Sequence, residues 1–108
     1  MTFNEYQEKS LITAIYPTNY KIVYPVLALN GEAGEVAEKI KKVLRDNNGN
    51  FSKDKCQEIA KELGDCLWYI SAIANDIGYS LDEIAEMNIN KIVNRQQNNQ
   101  IHGNGDDR

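Results

Sequence analysis

The chain has 108 residues, 42% hydrophobic and 26% charged, with a net charge of −4, which is the size and composition of one globular domain. No apolar run approaches the ~20 residues of a membrane span, the amino-terminal MTFNEYQEKS lacks both parts of a leader, and no Lys/Arg stripe builds a nucleic-acid surface. A cytoplasmic protein is expected, with neither a membrane nor a nucleic acid as partner.

Four helical segments follow from apolar periodicity and stop signals, at about residues 4–16, 18–45, 53–77 and 80–95. Pro17 ends the first, and Pro25 kinks or breaks the early part of the second. DNNGN, residues 46–50, is a turn-rich connection. The third closes at GYS, and Ser80 with Glu83 forms a capping box for the fourth. No alternating strand pattern is present, so the expected fold is all-α. Residues 1–95 form the domain, and residues 96–108 are a polar, Gly-containing tail with little to bury. Cys56 and Cys66 fall on one predicted helix ~15 Å apart and cannot bond within it. They read as small core residues of a reduced compartment. The single histidine, His102, lies in the tail, which removes the usual parts of zinc sites and of Ser-His or Cys-His catalysis.

With about 100° per residue and Ala33 as zero, Ile22, Val26, Leu29, Val36, Ala37, Ile40 and Leu44 form one apolar stripe on the second helix. With Leu63 as zero, Cys56, Ile59, Ala60, Cys66, Leu67, Ile70, Ala74 and Ile77 form another on the third. Glu32 and Glu62 each fall near about −100°, and Glu35 and Asp65 near about −160°. A short connection makes the two helices an antiparallel hairpin, and if the stripes face each other both acidic flanks open on the same side. Glu35 and Glu62 stand at matching heights, roughly 14 to 15 Å from the connection. Four carboxylates are therefore expected at one level, where they repel and raise one another's pKa unless a cation lies between them. All-oxygen ligands without His or Cys suit Mg²⁺ or Mn²⁺, and magnesium in turn points to a phosphate ligand. The bland reading is a salt-bridged surface helix, in which Glu35 pairs with Lys39 and Glu38 with Lys42.

GEAGEVAEKIKK, KELGDCLWYISAIANDIGYSLDEIA and NINKIVNR, in that order, resemble the MazG-like family of all-α nucleoside triphosphate pyrophosphohydrolases. The resemblance covers most of residues 29–95 and departs where the first Glu of the family's E-E pair is Gly31. It implies a four-to-five-helix bundle around a central antiparallel hairpin, assembled as a homodimer or dimer of dimers. The implied reaction is hydrolysis of a nucleoside triphosphate to the monophosphate and pyrophosphate. The implied metal ligands are Glu32, Glu35, Glu62 and Asp65, with Glu35 or Glu38 orienting or deprotonating the attacking water. Lys91, Asn94 and Arg95 share one face of the fourth helix, and the resemblance makes them phosphate contacts. Their bland reading is a polar helix end. Lys39, Lys42 and Arg45 are weaker candidates.

Trp68 or Tyr69 is placed to stack on a nucleobase. Trp68 points away from the apolar stripe, and CLWYISAIA is apolar nearly all round, so a subunit interface is the competing use. The tail residues His102, Gly103, Gly105, Asp106 and Arg108 are candidates to fold over the ligand. Gly34 and Gly64, both near about +100°, leave room for a neighbouring backbone. Two other readings compete with the enzyme: a nucleotide-binding or regulatory module of the same fold without turnover, and a helical adaptor.

Overall fold

A computed structural model describes residues 1–98 and 105–106. Among these, α1 (Phe3–Leu11), a 3-10 turn (Thr18–Tyr20), α2 (Val23–Asp46), α3 (Lys53–Asp76) and α4 (Leu81–Gln97) follow in order, with no strand. The expected all-α architecture is observed. No helix is long and apolar enough to cross a membrane.

Local chemistry sets the helix ends. Thr2 and Glu5 close a capping box on α1, and Ser80 and Glu83 close the expected one on α4, each bond at 3.1 Å. The first helix is shorter than its periodicity suggested. Both the amide and the hydroxyl of Thr13 donate to the Ser10 carbonyl, at 3.0 and 2.7 Å, and this local side-chain bond competes with the helical ladder. The second helix starts later than expected, because Ile22 adopts φ 69° and breaks the chain direction just before Val23. Pro25 therefore falls in the first turn of α2, where its missing N–H costs nothing, and the interruption expected near it falls just ahead, at Ile22. At the other end of the chain, α4 runs two residues past Arg95.

Residues 47–52 join α2 to α3, and the Gly49 amide returns to the Val43 carbonyl at 3.1 Å with Asn48 and Gly49 both at positive φ. The two helices, each of 24 residues, fold back on each other, and α2 packs almost wholly on α3.

The face they share differs from expectation. On α2 the shielded row is Leu29, Glu32, Val36, Lys39 and Val43; on α3 it is Lys55, Ile59, Glu62, Cys66, Tyr69 and Ile73. Each row is turned by about 80° from the centre of its apolar stripe. Because the helices run in opposite senses, both stripes emerge on the same side of the hairpin. Val26 (44% exposed), Leu44 (62%) and Leu63 (53%) are consequently uncovered within one chain. An apolar arc wider than one helix contact has to bury its remainder elsewhere.

Buried polar bonds fasten α1 across the carboxyl half of α3 and the start of α4. The Gln7 amide donates to the Tyr79 carbonyl and its oxygen accepts from the Leu81 amide, both at 3.0 Å. Ser10 and Ser71 hydroxyls meet at 2.8 Å. A Cβ added at Gly34 or Gly64 meets nothing within 4 Å, so neither glycine serves a close approach among the described residues.

Candidate metal and nucleotide site

Glu32 on α2 and Glu62 and Asp65 on α3 bring carboxylate oxygens within 4.8 Å of one another, with Glu32 and Glu62 half-buried and Asp65 exposed. The 80° rotation explains the grouping. It moves Glu32 and Glu62 from the flank of the hairpin into its contact row, where they stand opposite each other.

Glu35, expected as a fourth member, is exposed and lies outside this group, although its charge still reaches Glu32. The Glu32 carboxyl is pushed above its ordinary pKa by burial first, then by Asp65, Glu62 and Glu35. The same negative field raises the Cys66 thiol and the Tyr6 hydroxyl after burial, and the Tyr69 hydroxyl after burial and Tyr24. Lys39 is the nearest cation paired to the group, its ammonium 4.0 Å from the Glu62 carboxylate. Three hard oxygen donors whose mutual repulsion is incompletely neutralised suit a hard divalent cation.

The surface-helix alternative fares worse. Lys39 crosses to Glu62 instead of pairing with Glu35, and Glu38 pairs with Lys41 at 3.0 Å instead of with Lys42. Neither i,i+4 pair forms among the described residues. Glu38 therefore has its carboxylate engaged and its pKa held down by the Lys41 hydrogen bond, away from the acidic group. Lys42 is exposed and joins none of the ion pairs described.

A cavity of about 390 Å³ opens beside the carboxylates, lined by Thr13, Glu32, Asp65, Trp68 and Tyr69. Trp68, expected to find no cover within its own subunit, is half-buried, with its indole N–H donating to the Thr13 hydroxyl at 2.8 Å. Tyr69 meets it edge-on at 5.0 Å.

Lys91, Asn94 and Arg95 do not join this group through any hydrogen bond or ion pair among the described residues. Lys91 binds the Asp106 carboxylate at 3.1 Å, and Arg95 donates to the Asp106 carbonyl at 2.6 Å and to its carboxylate at 3.4 Å. Arg95 is 6% exposed, with Nε buried and without a hydrogen-bond partner among the described residues. Asn94 accepts from the Asn98 side chain at 3.2 Å. His102, Gly103 and Arg108 lie outside the described residues.

Sequence reasoning missed Thr13, which lines this cavity, Tyr16 and Tyr24, which line a neighbouring one, and Asp76, which accepts a hydrogen bond from the Tyr16 hydroxyl. A usable signal was present in the repeated Tyr-Pro pairs at 16–17 and 24–25, since a proline beside a ring fixes where the ring stands.

The chain as a whole is similar to known proteins. The Gene 37 protein of Mycobacterium phage L5 is 37% identical over 109 residues, covering 95% of this chain and 96% of that one. No solved structure matches. The sequence model of the MazG nucleotide pyrophosphohydrolase domain matches residues 25–99, a span containing every carboxylate of the acidic group and both cations of α4. The chain belongs to the MazG nucleotide pyrophosphohydrolase domain family.

Proposed function

We propose that this chain hydrolyses nucleoside triphosphates, deoxynucleotides or aberrant nucleotides among them, to the monophosphate and pyrophosphate with Mg²⁺ or Mn²⁺, in a pool-cleaning role in the cytoplasm. The observation that carries the reading is the group of three carboxylates within 4.8 Å on the central hairpin, in a chain of a pyrophosphohydrolase family. Glu32, Glu62 and Asp65 would hold the cation, with Glu35 as fourth ligand after a side-chain rotation. A divalent cation bound there neutralises charge on phosphate oxygens and makes water a better nucleophile. Glu35 orients the water and takes its proton as the oxygen attacks phosphorus. The bond to the bridging oxygen between the α and β phosphates breaks, and pyrophosphate leaves. The pairing of Glu38 with Lys41 favours Glu35 for this step.

Lys91, Asn94 and Arg95 bind phosphate, Lys42 contributes charge at the rim, and Trp68 contacts the base. We assign residues 1–95 to the hydrolase domain and 96–108 to a tail. The apolar side of the hairpin, with Val26, Leu44 and Leu63 exposed, supports a homodimer or dimer of dimers in which second copies cover it.

Purified protein incubated with a panel of triphosphates and Mg²⁺ is expected to release pyrophosphate, not phosphate, from at least one of them. No release across the panel with either cation overturns the reading. Tight binding without turnover would instead identify a regulatory module, a reading kept open by Gly31 in place of the family's Glu.

A further inference from the structure

The carboxyl-terminal part of the segment between α1 and α2 is anchored by a carboxylate that the proposed reaction does not use. Asp76, the last residue of α3, accepts through one oxygen from the Tyr16 hydroxyl at 2.8 Å and from the Ile22 amide at 2.9 Å. Ile22 has φ 69° and ψ −58°, a backbone state that a β-branched residue keeps only when its surroundings enforce it. The Val23 amide closes the same tight turn on the Lys21 carbonyl at 2.7 Å. The Asp76 bond thus fixes both the start of α2 and the position of Tyr16.

Tyr16 is in turn stacked on Tyr24 of α2, ring centres 5.3 Å apart and planes 19° from parallel. Together with Thr13, Trp68 and Tyr69 they line a cavity of about 320 Å³. Three of these residues, Thr13, Trp68 and Tyr69, also line the cavity beside Glu32 and Asp65. The two spaces therefore share a wall, one acidic and one aromatic. Trp68 has its N–H satisfied by Thr13, which leaves the indole no reason to turn toward water.

We infer that Asp76 is a positioning residue for nucleoside selection, locking Tyr16 against Tyr24 as one wall of an aromatic cavity that receives the base and sugar. A planar base gains from aromatic faces whatever its hydrogen-bonding edge, and a cavity of this size suits a ligand of nucleoside dimensions. The inference rests on the proposed nucleotide substrate only for the direction of the phosphates, toward the carboxylates. The cavity itself recognises a nucleoside that carries none.

The chain contains one tryptophan, Trp68, so its emission reports on the wall that the two cavities share. Titration of the full chain with adenosine, guanosine, cytidine and thymidine is expected to change that emission saturably for at least one nucleoside. Asp76→Ala should weaken that binding by about tenfold, the loss of roughly one well-made anchoring contact, with Mn²⁺ affinity unchanged. Tyr16→Phe keeps the ring, removes the hydroxyl and should weaken binding severalfold. Asp76→Asn retains an accepting oxygen and should restore most of it. In turnover, the expected pattern for Asp76→Ala is a raised KM that differs between bases, with kcat little changed.

Unaltered nucleoside affinity in Asp76→Ala and Tyr16→Phe overturns the inference, as does the failure of every nucleoside to perturb Trp68. If Asp76→Ala does not fold, Tyr16→Phe and Asp76→Asn carry the decision. Nucleoside binding without pyrophosphate release counts against the proposed hydrolysis and leaves the cavity standing. Release without nucleoside binding does the reverse.

Discussion

Glu32, Glu62 and Asp65 crowd three like charges onto the central hairpin, with a lysine ammonium no closer than 4.0 Å to Glu62. Lys91 and Arg95 on α4, by contrast, close on a carboxylate of their own chain, Asp106, at 3.1 and 3.4 Å. The first region raises the pKa of Glu32 through burial and neighbouring carboxylates, and the second lowers that of Asp106 through Lys91 and then Arg95. A ligand arriving at the carboxylates relieves repulsion, whereas a phosphate arriving at α4 has to displace an anion already present. Binding energy at the two places therefore has different origins, and the variants below separate them.

The largest effect is expected at the crowded end. Glu62→Gln removes one charge and one ligand, and metal-dependent pyrophosphate release should fall by about 100-fold or more, beyond the range for groups that only support a ligand. An undiminished rate would remove Glu62 from the site.

Next is Arg95→Lys, which keeps the charge but loses the planar fork. KM for the triphosphate should rise by about tenfold, the worth of one charge-assisted hydrogen bond, with a smaller change in kcat. A smaller and opposite effect is expected for Asp106→Asn. Inorganic pyrophosphate should bind roughly twofold to fivefold more tightly once the competing exposed ion pair is weakened, and calorimetry at two ionic strengths would check it. Weaker binding would mean that Asp106 assists the ligand instead of competing with it.

The smallest effect concerns a carboxylate satisfied by neutral donors, Asp76. Burial, then the Asp76 hydrogen bond and charge, push the Tyr16 hydroxyl from its ordinary 10.0 up to about 12. The folded state therefore holds this proton more tightly than the unfolded chain. Its contribution is fully present below pH 10 and is lost as pH rises toward about 12. Tyr16→Phe should flatten that part of the stability profile, as followed by denaturant midpoints across the alkaline range.

Much of this was legible in the sequence because it depends on short-range spacing. The α4 capping box, the hairpin and the common level of Glu32, Glu62 and Asp65 all follow from helical geometry and a short connection. The rotation of the hairpin was not legible. A helix's apolar stripe says that it will be covered, but not whether its own chain or another one covers it, and Glu35 left the acidic group for that reason. Contacts such as Tyr16 with Asp76, Ile22 with Asp76 and Arg95 with Asp106 join residues on different elements. No local pattern announces them, and the positive φ of Ile22 accompanies such a contact.

The small core of the single chain has a further consequence. Among the described residues, the buried apolar side chains are Pro25, Val43, Ala72, Ala74 and Leu81, few for a domain of this length. If second copies cover the hairpin, folding and association draw on the same apolar surface, and the apparent stability becomes a function of dilution. The melting midpoint should climb with protein concentration, and substitution of Leu44 or Leu63 by a charged residue should lower the midpoint and flatten that climb.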